Sequence, residues 1–110
     1  MSKNLAAYDK IAASLVMTED GVEHGRMMSA PALTWGGKVF AFHIIRGKHS
    51  AMGFRLGRDF DFSALPTTNW SYLSPFKTKP PMKDWVMLPV EEARHWPALA
   101  ELALERMRGS

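Results

Sequence analysis

The pair Gly36-Gly37 stands between two runs of strand-forming residues, 33–35 and 38–45, and this arrangement constrains the fold more than any other feature of the sequence. Two adjacent residues that both accept positive φ make the tight turn whose twist suits antiparallel strands, so the flanking runs are expected to pair as a hairpin. The same texture extends outward over 22–58, where strand formers are broken by glycine and no helical period appears. Strands are expected at 22–29, 33–35, 38–45 and 50–56, with Arg46-Gly47-Lys48 turning the third into the fourth, which makes an antiparallel meander. In the third strand Lys38, Phe40, Phe42 and Ile44 alternate with Val39, Ala41, His43 and Ile45. Both faces are then largely apolar, and the strand is expected to be central.

The two ends of the chain follow a different period. Leu5, Tyr8, Ile11, Ala12 and Leu15 recur at three- and four-residue spacings over 4–17, one face of a helix that Asn4 can cap and Glu19-Asp20-Gly21 can end. At the other end Pro97 suits a first helical turn, and Trp96, Leu99, Ala100, Ala103 and Met107 share a face. Between them, 58–81 is aromatic but irregular, with Phe60, Phe62, Trp70, Tyr72 and Phe76 among four prolines; it reads as ordered loop with a helical turn near 62–65. In KPPMKDWVMLP, 79–89, a proline turn precedes the apolar run Trp85-Val86-Met87-Leu88, which is expected to be a buried last strand closed by Pro89. The order predicts an α+β fold in two layers, an antiparallel β-sheet of about five strands flanked by an N-terminal and a C-terminal helix. Trp85 should be core.

At 110 residues, 46% of them apolar and 23% charged, the chain suits one folded domain over 1–110. It holds no cysteine, which removes disulfides, thiolate chemistry and cysteine-ligated metal sites. Charges interrupt the first ten residues where a signal peptide would be apolar, and no stretch approaches the roughly 18 apolar residues of a membrane span, so a cytoplasmic protein without membrane contact is expected.

The net charge of +3 is unevenly spread. From His24 to Arg58 the chain carries Arg26, Lys38, Arg46, Lys48, Arg55 and Arg58 and no acid, and Lys77, Lys79 and Lys83 follow, whereas both ends are mildly acidic. If the middle forms the sheet and the ends form the helices, the sheet layer is the electropositive one. Aromatic residues interleaved with these cations give nucleic-acid binding a physical motive, through phosphate contacts and stacking. Arg46, Lys48, Arg55, Arg58, Lys77, Lys79 and Lys83 form the candidate surface for nucleic acid or a protein partner.

Catalytic constellations are missing. His43 and His49 could face each other across a hairpin, yet zinc needs a third ligand and the nearest acids are Asp59 and Asp61; His43 reads as a partly buried strand residue and His49 as an exposed turn residue. Glu92 and His95 have the Glu-x-x-His spacing of di-iron bundles, but that chemistry requires two such motifs, so the pair reads as a solvated helix start. Asp59-Phe60-Asp61 reads as a charged loop. Ser50 beside His49 would point to the opposite face of a strand, and neither Gly-x-Ser-x-Gly nor a phosphate-binding glycine pattern occurs. No catalytic residue, metal or cofactor is expected.

RMMSAPALTWGGKVFAF at 26–42, GFRLG at 53–57, KPPMKDWVMLP at 79–89 and WPALAELALERM at 96–107 together resemble the N-terminal domain of the TfoX/Sxy proteins, in particular small stand-alone members, and are similar in appearance to MmcQ/YjbR-like proteins. The resemblance spans nearly the whole chain. Against the usual pattern Met28 stands for an aromatic, Ser29 for a glycine and Lys79-Pro80 for a Gly-Arg pair. The resemblance implies a helix-flanked antiparallel sheet and an association with regulation of DNA uptake or transcription, without a catalytic residue. The expected function is therefore a small non-enzymatic domain acting through protein or nucleic-acid contacts, as a monomer or homodimer. The alternative is a small-molecule binder or enzyme with a pocket between the sheet and the 58–81 segment, anchored by Arg55 or His43.

Overall fold

The computed structural model describes residues 3–27, 30–46, 49–73 and 82–109. Its elements run α1 (Lys3–Thr18), β1 (Val22–Met27), β2 (Ala30–Trp35), β3 (Lys38–Arg46), β4 (His49–Arg55), β5 (Ser71–Leu73), β6 (Met82–Pro89) and α2 (Trp96–Gly109). The strands form one antiparallel sheet in the order β1-β2-β3-β4-β6-β5. The fold is α+β as expected, with six strands rather than about five. The additional strand is β5, three residues on the sheet edge; so short a piece shows no period, and it holds its place through pairing of Ser71 and Tyr72 with Met87 and Val86.

Gly36 and Gly37 have φ of 61° and 80° and join β2 to β3 with Trp35 opposite Lys38, the two-residue hairpin that the sequence predicts. Beyond β4 the chain passes over β6, forms a 3₁₀ turn at Phe62–Ala64, adds β5 at the edge and returns as β6 between β5 and β4. A second 3₁₀ segment, Val90–His95, leads into α2.

Both helices cover the same face of the sheet. Tyr8, Ile11, Ala12 and Leu15 from α1, with Trp96, Leu99, Ala100 and Leu104 from α2, pack on Leu33, Phe40, Met52, Phe54, Val86 and Leu88 from the strands. The indole Nε1 of Trp96 donates to the Leu88 carbonyl oxygen at 3.2 Å, so the one polar atom of this ring is satisfied within the core.

The opposite face holds a second buried cluster of Ala32, Phe42, Leu73 and Trp85. Phe42 and Trp85 meet edge to face with ring centroids 5.3 Å apart. Trp85 is 4% exposed, as expected of a core residue, but it belongs to this outer cluster and not to the helix–sheet core that Trp96 fills.

β3 lies inside the sheet, and its side-chain pattern differs from simple alternation. Ala41 pairs with Leu33 and Val39 pairs with Thr34, so Phe40 is an extra residue without an opposite number on β2. This bulge turns both Phe40 and Ala41 to the helix side and leaves Val39, Phe42 and Ile44 on the other. The expected grouping of Phe40 with Phe42 and Ile44 is corrected accordingly. Among the described residues no helix is long and apolar enough to cross a membrane.

Candidate binding site at one end of the sheet

Because β6 lies beside β4, residues 55–58 and 82–84 meet although a long segment separates them in sequence. Arg55 pairs with Trp85 in the ladder, and the backbone N–H groups of Leu56 and Gly57 both donate to the Asp84 carbonyl oxygen at 3.0 Å. Arg55 Nε lies 3.3 Å from Asp84 Oδ2. Arg58 and Lys83 are exposed on these same two stretches. Lys38, at the start of β3 and directly across from Trp35, belongs to the same end of the molecule.

The other candidate cations divide differently. Arg46 ends β3, and at about 3.3 Å per residue it stands roughly 26 Å along the strand from Lys38. Lys48, Lys77 and Lys79 lie outside the described residues. The structure thus brings Arg55, Arg58 and Lys83 together and sets Arg46 at the opposite end of the sheet.

Between this sheet end and the last turn of α2 is a cleft of about 540 Å³. Trp35 and Met107 supply apolar surface, and Lys38, Arg55, Arg106 and Asp59 supply charge. Trp35 is held in place by its Nε1, which donates to the Asp20 carbonyl oxygen at 3.2 Å. Arg106 is held more firmly: Nη2 lies 2.7 Å from Asp59 Oδ1, Nε donates to the Leu56 carbonyl oxygen, and the guanidinium carbon sits 5.1 Å from the Phe60 ring centroid. Asp59 and Asp84 offset two of the three lining cations, while Lys38 is exposed and in no ion pair among the described residues. Lys38, Trp35 and Arg106 were absent from the expected site. A Lys placed directly after a Gly-Gly hairpin turn, opposite a Trp, was the available signal for the first two; for Arg106 there was none.

The two carboxylates of the 59–61 segment have separate duties. Asp59 takes Arg106, whereas Asp61 caps the 3₁₀ turn, accepting from Ser63 Oγ at 2.6 Å and from its backbone N–H at 3.0 Å. The Ser63 hydroxyl and then its N–H hold the Asp61 carboxyl below the usual carboxylate range. The rings that follow pack on each other: Phe62 lies 5.6, 5.3 and 5.5 Å from Phe60, Trp70 and Tyr72.

Glu92 corrects the reading of a solvated helix start. It is only 9% exposed, precedes α2 on the 3₁₀ segment, and takes Asn69 Nδ2 and Arg94 Nη2 at 3.5 Å each, with His95 Nε2 3.8 Å away. A hydrogen bond from Thr67 does most to hold its carboxyl low, against the opposing effect of burial and with help from Asn69, Arg94 and His95. Its role is to fasten the 67–69 loop to the approach of α2.

His43 is fully buried, more deeply than expected, with the Tyr8 and Trp96 rings at 5.5 and 5.8 Å. His43 Nε2, Tyr8 Oη and Ser50 Oγ are buried without a hydrogen-bond partner among the described residues. Burial pushes the His43 pKa down, partly opposed by Asp9, and pushes the Tyr8 hydroxyl up. The His49 side chain lies outside what the structure describes, and among the described residues no three His, Asp or Glu side chains form a group that could hold a metal.

Comparison of the chain with protein-family models, with curated proteins and with solved structures found no match to any of them.

Proposed function

We propose that this chain is a non-enzymatic cytoplasmic domain of the TfoX N-terminal type that works by contact, and that the cationic end of its sheet is the surface that meets nucleic acid. The observation that carries this reading is the convergence of Arg55, Arg58 and Lys83 with Lys38 at that end. Grouped cations on a rigid sheet gain affinity for a polyphosphate by releasing its counterions. The Arg55–Asp84 pair is open to solvent, and such pairs contribute only about 0–1 kcal/mol, so a phosphate can displace Asp84.

The test is fluorescence anisotropy with labelled single- and double-stranded DNA at low and moderate salt. Binding should weaken steeply as salt rises, and a Lys38→Gln, Arg58→Gln, Lys83→Gln variant should bind less tightly with a shallower salt slope, by about one for each phosphate that the variant no longer neutralises. Lys10→Gln, on α1, should change nothing. Absence of binding at low salt, or equal loss in both variants, sinks the reading.

The cleft also favours a second reading, a small-molecule site at the start of the 58–81 segment. Its volume of about 540 Å³ is within the range of ligand pockets. A ligand-library thermal-shift screen without a stabilising compound counts against it.

A further inference from the structure

We propose that the cleft between Trp35 and Arg106 is a subsite for one nucleotide of a single strand, with the base on Trp35 and Met107 and the phosphate on Lys38 and Arg55. This rests on the nucleic-acid reading above and narrows it to unpaired strands.

The lining combines two kinds of chemistry. Trp35 and Met107 offer apolar surface that a flat, uncharged ring can cover, and Lys38 and Arg55 add positive charge to the same lining for an anion. A nucleotide is a ligand with those two parts joined. In a duplex the base faces are stacked on their neighbours and cannot enter a cleft, so a site that takes a base selects single strands.

Trp35 is prepared for this role before any ligand arrives. Its Nε1 is tied to the Asp20 carbonyl oxygen, and its indole edge lies so close to Gly21 that a Cβ there would stand 2.9 Å from Nε1 and 3.1 Å from Cδ1. The ring is thereby fixed without a ligand, and little ordering remains to be done on binding. Lys38 faces Trp35 across the hairpin, which sets its ammonium near the edge of a base lying on that ring.

Asp59 is the site's internal competitor. Its carboxylate is exposed and holds Arg106 Nη2 at 2.7 Å on the wall of the cleft, where it both occupies a cation and repels an incoming phosphate. Removing its charge should tighten binding, a direction that damage to the fold does not produce.

The experiment is fluorescence anisotropy with fluorescein-labelled oligothymidylate of about ten nucleotides and a labelled duplex of equal length. The oligothymidylate should bind at least about tenfold more tightly than the duplex. Trp35→Leu should lower single-strand affinity about tenfold and leave duplex binding unchanged, whereas Trp35→Phe should keep most of the affinity. Asp59→Asn should raise single-strand affinity several-fold. Equal affinity for the two probes or an unchanged Trp35→Leu overturns the subsite and leaves the cationic surface standing. Failure of both probes to bind overturns the subsite together with the reading beneath it.

Discussion

A methyl group at Gly53 would stand 2.5 Å from Phe42 Cε1 and 2.8 Å from Met87 Sδ, so the outer cluster closes over this position only because no side chain is there. Phe42 is fully buried against Trp85 and has nowhere to retreat. Gly53→Ala should therefore destabilise the protein by about 1–3 kcal/mol in urea unfolding despite the better strand propensity of alanine, and Phe42→Leu in the same chain should recover part of the loss. A cost under about 0.5 kcal/mol would mean that the cluster is loosely packed. His43 makes a prediction of another kind. Burial lowers its folded pKa below the ordinary 6.5, so the unfolded chain binds the proton first. Its contribution to stability is whole above pH about 6.5 and is lost as pH falls from there toward the folded value. Unfolding free energy of the wild type minus that of His43→Phe should decline over that window, and a difference that stays flat with pH would place the imidazole in contact with water.

At the scale of elements, Glu92 fastens the 67–69 loop, and β5 follows that loop directly. Glu92→Ala removes the acceptor of Asn69 and Thr67 and should speed amide hydrogen exchange in β5 while leaving the amides of α1 unchanged. Equal effects in both places would show that Glu92 supports the whole fold. Elements with a period or a turn signal of their own were legible in the sequence: α1 and α2 from their apolar faces, the β2–β3 hairpin from Gly36-Gly37, the 3₁₀ turn near Phe62, and β6 from Trp85 to Leu88. β5 was not, since three residues are too few for alternation to register, and neither was the bulge at Phe40, where Phe-Ala-Phe reads as alternation until Leu33 selects Ala41 as its partner. Which of the candidate cations lie together was hidden for a related reason. Nearness in sequence grouped Arg46 with Arg55, but β4 runs the length of the sheet between them, whereas the pairing that joins Arg55 to the neighbourhood of Lys83 depends on β6 returning inside β5.

At the scale of the molecule, the two buried clusters lie on opposite faces of one sheet and share β2, β3 and β6. Adjacent residues of β6 serve different faces, Trp85 the outer and Val86 the inner, so neither cluster can come apart while that strand keeps its twist and register. The domain should then unfold in one step. Trp96, in the inner core, and Trp85, in the outer cluster, provide a reporter on each face. With Trp35 and Trp70, which also pack on the inner core, replaced by Phe, the fluorescence of Trp85→Phe reports the inner face and that of Trp96→Phe the outer, and each should coincide in urea with loss of far-ultraviolet circular dichroism in the same variant. Trp85→Ala should cost about 3–5 kcal/mol, a large share of the roughly 5–15 kcal/mol that holds a domain together. If the faces are coupled, that cost appears at the same midpoint in the inner reporter and in the circular dichroism. An inner-face transition that keeps its wild-type midpoint in Trp85→Ala would mean that the outer cluster melts separately, and the sheet would then be a helix-backed core with an independent second face.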